Sequence, residues 1–174
     1  GRSDYVQILD SPSLDVSVER AITVEAWIKI HSYPSGVGHL VAKWGPGSDY
    51  DDEWTLQLER GGRACWAVNS STANWSPDAV LYSKSNLPLN QWIHLAGVWN
   101  GRNAFAAIYI DGKMESSTSS AVRTIAHTGQ AIRLGWDGVG GYFDGVIDEV
   151  QISNRALTSG EFNLITKPSS ESPP

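Results

Sequence analysis

Short runs of alternating apolar and polar residues follow one another along almost the whole chain. Each run is rich in β-branched and aromatic residues and has the two-residue period of a strand with one buried face. The runs are too short for typical helices and are bounded by turn-forming residues. The strands predicted in this way cover residues 5–9, 22–30, 38–43, 54–59, 64–68, 92–99, 105–110, 131–135 and 146–152.

Glycine-rich segments separate these runs. Two of them, Asn100-Gly101 and Asp111-Gly112, are typical of hairpin turns that need a positive φ at glycine. One helical segment is predicted at residues 156–162, where Thr158 and Glu161 have the spacing of a capping box. Many short strands joined by such turns predict an all-β protein, an antiparallel two-sheet β-sandwich or barrel with at most one short helix.

The last predicted strand carries a charge on an otherwise apolar row. Val146, Asp148, Val150 and Ile152 share one side of an ideal strand, and that side is expected to face the core. A carboxylate on such a row is costly unless a partner satisfies it. A bound cation, an arginine, backbone amides, or solvent at the rim of the sheet could each fill that role.

Length and composition limit the function classes. The chain has 174 residues, 41% of them hydrophobic and 18% charged, which predicts one globular domain with a proper core. A net charge of -6 disfavours nucleic acid and anionic membrane surfaces as partners. The sequence contains no apolar run of about 18 residues, so no membrane insertion is expected.

The cysteine content and the C-terminal residues bear on disulfides and on the boundary of the domain. Cys65 is the single cysteine, which excludes an intrachain disulfide and a cysteine-based metal site. Residues 167–174 have the Pro/Ser-rich composition of a linker. We therefore predict a domain over residues 1–166, a tail over 167–174, and covalently linked neighbouring domains in a longer extracellular protein.

Five segments in a particular order carry a family resemblance: residues 3–8, 22–29, 89–96, 108–113 and 147–157. With them the chain resembles the laminin-G-like, concanavalin A-like jelly-roll superfamily over residues 3–165. The resemblance implies two facing antiparallel sheets, secretion, and binding of glycans or proteins. Several relatives hold calcium between the first and last strands, which implies a calcium site with Asp148 and Asp4 as ligands. Calcium prefers such oxygen ligands.

Catalysis has little support in the sequence. Glycanases that resemble this scaffold carry Glu-x-Asp-x-x-Glu on one strand, and this string does not occur here. The acidic residues 49–53 precede a strand in a loop-like segment. The four histidines lie in separate segments, and His94 is predicted to be a packed strand residue.

The eight tryptophans divide by position. Trp54, Trp66 and Trp99 lie on apolar rows and are predicted to be in the core, while Trp27 is predicted to cover an outer sheet face. Aromatic residues in loops can instead stack on the apolar faces of sugars, with acidic side chains binding the hydroxyls. The alternative for each is that it plugs an edge of the sandwich. The ligand-binding candidates are Trp44, Asp51, Trp75, Trp136, Asp137 and Tyr142.

The sequence as a whole favours a non-catalytic, lectin-like module that binds a glycan or polysaccharide and is stabilised by calcium. A module for protein–protein cell adhesion is the main alternative. A glycoside hydrolase or polysaccharide lyase is the third.

Overall fold

The computed structural model describes residues 4–45, 52–70, 79–119, 122–138 and 141–168. The described residues form two antiparallel sheets that face each other, as the hydrophobic pattern predicted. Two predicted ligand contacts, Asp51 and Trp75, lie outside them. In chain order the strands are β1 Val6–Ile8, β2 Ala21–Ile30, β3 Gly38–Lys43, β4 Trp54–Leu58, β5 Arg63–Val68, β6 Ala79–Asn86, β7 Trp92–Asn100, β8 Phe105–Ile110, β9 Lys113–Ser119, β10 Ile132–Leu134 and β11 Gly145–Ser153.

The order of strands is β1-β10-β3-β4-β5-β6 in one sheet and β11-β2-β7-β8-β9 in the other. Nine of these strands confirm predicted ones. Strands β6 and β9 were not predicted; they end the two sheets and contact each other. Strand β9 is almost entirely polar and has no buried face of its own. It is a strand because it pairs with β8.

Inward-facing rows of both sheets form the core. Trp54, Trp66 and Trp99 are 0% exposed, which confirms their predicted positions. Gly97 on β7 leaves room for an aromatic ring from the opposite sheet. A Cβ on Gly97 would lie 2.4 Å from Cδ2 of Trp66.

One of the two predicted hairpin turns is confirmed. Asp111 and Gly112 join β8 to β9 with φ values of 48° and 72°, as a two-residue turn requires. The prediction for Asn100-Gly101 was wrong, because the loop runs on to Phe105 and the positive φ, 55°, falls on Ala104. The Asn100 side chain stabilises that loop by accepting the backbone N–H of Arg102 at 3.0 Å.

Strand β11 corrects the prediction for Asp148. Asp148 pairs with Trp27 on β2, so its side chain lies on the outer face of the sheet and is exposed. A β-bulge follows, with Glu149 at φ 49° and its N–H donating to Asp148 Oδ1 at 2.8 Å. Because a bulge changes the alternation of side chains, Ile147 and Val150 both pack on the core.

The predicted C-terminal helix does not form. Residues 159–162 are turns and bends, although Thr158 N–H and Oγ1 both donate to Glu161 Oε2, at 2.8 and 3.0 Å. The capping-box contact is therefore present without a helix behind it. The one helix among the described residues is the 3₁₀ turn Pro12–Leu14, and none of their helices has the length or apolarity to span a membrane.

Candidate functional site

The outer face of the five-stranded sheet is covered by the chain's own C-terminal segment. Thr23 Oγ1 donates to the Arg155 carbonyl at 2.8 Å and accepts the Leu157 N–H at 2.9 Å. Glu25 Oε2 accepts the Asn163 N–H at 3.1 Å. Most of this face is therefore closed to a large ligand.

Beneath this segment lies a buried polar and aromatic group. His94 Nε2 lies 2.8 Å from Glu25 Oε2, and the Trp27 indole N–H donates to the Asn163 carbonyl at 3.1 Å. Phe162 completes the group with its ring centroid 5.8 Å from that of His94. The packed position predicted for His94 and the outer-face position predicted for Trp27 are both confirmed.

An aromatic cluster lies at the opposite sheet, where β1 pairs with β10. The rings of Trp136 and Tyr142 stack at a centroid distance of 5.2 Å and an interplanar angle of 14°. The Tyr5 ring is 5.0 Å from Trp136 and tilted by 58°. Tyr5 is 47% exposed and the other two are half-buried. We call Tyr5, Trp136 and Tyr142 the aromatic platform.

The backbone at the end of β10 holds the platform in place. Gly135 takes a positive φ of 83°, which turns the chain sharply after the strand. Its N–H donates to the Leu40 carbonyl at 3.0 Å, and its carbonyl accepts the Phe143 N–H at 2.9 Å. Both ends of the segment that carries Trp136 and Tyr142 are thus tied to the sheet.

A buried polar chain supports the same segment from below. Asp137 Oδ2 lies 3.0 Å from His39 Nε2, and His39 Nδ1 lies 3.0 Å from Thr55 Oγ1. Thr55 Oγ1 donates to Gln57 Oε1 at 3.2 Å, and Gln57 Nε2 donates to Glu59 Oε1 at 2.8 Å. Asp137 is 6% exposed, so its position suits it to hold the loop more than to contact a sugar directly.

Arg133 on β10 links two of the predicted loops. Its guanidinium donates to the Trp44 carbonyl at 3.0 Å and to the Asp137 carbonyl at 3.4 Å. Arg133 is itself buried, and a buried cation needs such acceptors. Through Arg133 the half-buried Trp44 is connected by its backbone to the segment that bears Trp136.

The structure therefore brings four predicted site residues into one region: Trp44, Trp136, Asp137 and Tyr142. Tyr5, His39 and Arg133 also lie in this region and were not predicted from the sequence. Arg133 stands inside an apolar run, as Asp148 does, and that signal could have identified it. The role of Tyr5 depends on β1 pairing with β10, which no local pattern reveals.

The predicted metal ligands Asp4 and Asp148 belong to different sheets. Asp4 precedes β1 in the six-stranded sheet, whereas Asp148 lies on β11 in the five-stranded sheet. The part of the chain that the structure describes contains no group of three or more His, Cys, Asp or Glu side chains that could hold a metal. Calcium binding by Asp4 and Asp148 stays a prediction.

A second buried charge cluster is built around Lys43. The Lys43 ammonium is fully buried and lies 2.8 Å from Asp10 Oδ1 and 3.1 Å from Glu53 Oε2. The other Glu53 oxygen accepts the Thr128 N–H at 2.8 Å. This cluster fixes the segments after β1 and before β10 by satisfying the cation, which is a structural role.

A family model matches residues 1–162, and its description is the concanavalin A-like lectin/glucanases superfamily. The chain belongs to this family. No curated protein matches the sequence at a significant level.

Three solved structures illustrate the fold of the family. A proposed carbohydrate-binding protein from Bacteroides ovatus is 13% identical with a TM-score of 0.71, covering 91% of this chain and 44% of that one. Domain 4 of an extracellular arabinanase from Geobacillus stearothermophilus, in complex with arabinotriose, is 20% identical with a TM-score of 0.60, covering 82% of this chain and 64% of that one. The binding domain of botulinum neurotoxin DC, in complex with SialylT, is 12% identical with a TM-score of 0.64, covering 92% and 39%.

At these identities the similarity establishes the shared fold alone. This chain spans 44% of the Bacteroides protein, so the similar region is a part of a larger molecule there. The carbohydrate-binding description of that protein and the saccharide complexes of the other two provide the basis for the functional proposal.

Proposed function

We propose that this domain is a non-catalytic carbohydrate-binding module whose ligand stacks on the aromatic platform. The observation that carries the proposal is the parallel stack of Trp136 on Tyr142, with the exposed Tyr5 beside it. Each ring covers one face of the other, and the ring faces that this stack leaves open match the apolar faces of pyranose or furanose rings. The occupied outer face of the other sheet also favours the platform side.

Rigidity supports the platform as a binding surface. The buried Asp137–His39 pair and the two backbone hydrogen bonds of Gly135 hold Trp136 before any ligand arrives. Preorganisation of this kind reduces the entropy that binding must offset. The mechanism is equilibrium binding, which raises the local concentration of glycan around any domain attached to the same chain.

Domains similar to this one, such as the arabinanase domain, occur within larger extracellular proteins. We accordingly propose an extracellular or cell-surface setting, with covalently linked neighbouring domains beyond the Pro/Ser-rich tail. Calcium remains part of the proposal as a stabilising ion, with Asp148 as the candidate carboxylate. This part of the proposal rests on the family resemblance.

A glycan array followed by isothermal titration calorimetry tests the main proposal. Trp136→Ala and Tyr142→Ala should each weaken binding of the best saccharide about tenfold, the loss of about 1.4 kcal/mol of stacking free energy. Tyr82→Ala is the matched control. Tyr82 is a 41% exposed tyrosine on β6, at the other end of the same sheet, and its loss should leave affinity within about twofold.

The same variants separate the alternatives. Unchanged saccharide affinity in both platform variants, at unchanged melting temperature, would overturn the proposal. Capture of a protein partner that Trp136→Ala abolishes, with no glycan bound, would support an adhesion module instead. Release of reducing sugars from a polysaccharide panel would show an enzyme.

A further inference from the structure

A cleft at one end of the five-stranded sheet remains open beside the C-terminal segment. Lys29 on β2 and Trp92 on β7 are paired residues, so their side chains lie on the same outer face. The turn before β7 supplies Asn90 and Gln91, and the C-terminal segment closes the cleft with Lys167 and Pro168. The aromatic platform belongs to the other sheet, so this cleft is a separate site.

Two ammonium groups line the cleft without a carboxylate partner. Among the residues that the structure describes, neither Lys29 nor Lys167 has a carboxylate oxygen within 4.0 Å. The Lys167 ammonium instead lies 5.7 Å from the centre of the Trp27 ring, a cation–π contact. Two unpaired cations in one concave site, on a chain of net charge -6, create a local attraction for an anion.

An aromatic ring and polar groups accompany the cations. The side chain of Trp92 lines the cleft and is half-buried, so part of it is open to a ligand. The exposed amides of Asn90 and Gln91 add groups that suit sugar hydroxyls.

The neighbouring side chains set the polarity of the cleft. Val146 on β11 pairs with Lys29 and presents an apolar side chain on the same face. Asp148 follows one row further along, opposite Trp27, and is the nearest carboxylate on that strand. Asp144 lies one row away in the other direction, where the His31 N–H donates to its carbonyl, and its side chain contacts Ser32 and His31.

We propose that this cleft is a second saccharide subsite, which binds the carboxylate or sulfate group of an acidic sugar. The anion lies between the ammonium groups of Lys29 and Lys167, and the sugar ring lies against Trp92. This subsite is distinct from the aromatic platform, because a neutral glycan has no anionic group for the two lysines to bind.

Calorimetric titration of the full chain with oligogalacturonate, with a heparin tetrasaccharide and with a neutral galactose oligomer tests this subsite. Exposed ion pairs contribute modestly to affinity, so Lys29→Gln combined with Lys167→Gln should weaken binding of the acidic ligands about tenfold. Binding of the acidic ligands should also fall as salt rises. A preference for oligogalacturonate would identify the bound group as a carboxylate, and a preference for heparin would identify it as a sulfate.

Lys84→Gln combined with Lys113→Gln is the matched control, because both lysines are exposed and lie on the edge strands β6 and β9. It should leave binding of the acidic ligands within about twofold. A nitrogen-15 spectrum should place the largest indole shift on Trp92 Nε1. Equal affinity of the acidic ligands for wild type and the Lys29/Lys167 variant, or an acidic ligand that shifts Trp136 in place of Trp92, would overturn the proposal. Binding of the neutral oligomer reports on the platform alone, so failure of one proposal is distinguishable from failure of the other.

Discussion

His39 Nε2 lies 3.0 Å from Asp137 Oδ2, and this buried contact ties β3 to the segment that carries Trp136. Both side chains are less than a tenth exposed. The pair continues through Thr55 to a polar row across the sheet. Stability of the sheet and placement of the aromatic platform are thus coupled through one carboxylate.

Replacement of Asp137 should therefore change both properties. Removing one partner of a buried polar contact leaves the other unsatisfied, so Asp137→Ala should lower the free energy of unfolding by about 2 kcal/mol. Chemical denaturation measures this change. Saccharide affinity should fall as well, since the loop loses its anchor, while Asp144→Ala, at an exposed carboxylate in the same segment, should change stability by less than about 1 kcal/mol.

Gly97 is expected to be intolerant of any side chain. A Cβ at this position would lie 2.4 Å from the Trp66 ring, in a core where that ring cannot move without displacing others. Gly97→Ala should destabilise the domain by about 2 kcal/mol, measured by denaturant titration. Gly36→Ala is the matched control, because a Cβ there would meet nothing within 4 Å. Similar midpoints for the two variants would contradict the core packing described here.

The turn at Thr158 and Glu161 should respond to acid. Hydrogen bonds from the Thr158 backbone and side chain, and from Arg155, hold the pKa of Glu161 below its ordinary value of 4.5. A carboxyl whose pKa is lowered on folding stabilises the fold above its unfolded pKa, and the contribution is lost as pH falls through the folded pKa. The protection factor of the Thr158 amide, which is the exchange rate corrected for its intrinsic pH dependence, should fall over that acidic range in wild type. Glu161→Ala should show the low protection factor at every pH, and a wild-type protection factor in that variant would refute the assignment.

Calcium dependence is a prediction that melting experiments can decide. An ion that binds the folded state alone raises the melting temperature with concentration. We expect the domain to melt higher in calcium than in chelator, and Asp148→Asn to remove that difference. If both carboxylates bind one ion, Asp4→Asn should remove the difference as well, and if Asp148 binds it alone, Asp4→Asn should leave the difference unchanged. Identical melting in calcium and chelator would exclude calcium as a stabilising ion.

Much of the fold was predictable because it depends on short-range alternation. Strands such as β3 and β8 were placed to the residue, since each is a short, mostly buried run of strand-forming residues between clear turn segments. Strand β9 was missed because its sequence is polar and its only structural cause is a neighbour to pair with. The C-terminal helix was wrongly predicted for a related reason: contacts of Leu157 and Asn163 with β2 hold that segment flat on the sheet.

The candidate site was predictable in part. Trp136 and Tyr142 were selected because aromatic residues in glycine-rich loops are seldom needed for the core. Tyr5 joins them only through the pairing of β1 with β10, across more than a hundred residues of sequence. The inward position assigned to Asp148 failed because a bulge adds one residue to the strand, and strict alternation cannot anticipate that addition.

The sequence alone determined that this chain forms two facing sheets, that three tryptophans lie between them, and which loops hold aromatic residues. Alternation and turn-forming residues are local properties of the sequence. Burial of the apolar side chains on one face of each strand then requires that the two sheets pack against each other. Tertiary structure decided which loops meet, which sheet face the C-terminal segment covers, and which charges are left unpaired. These depend on contacts between residues far apart in sequence, where geometry rather than residue type sets the partners.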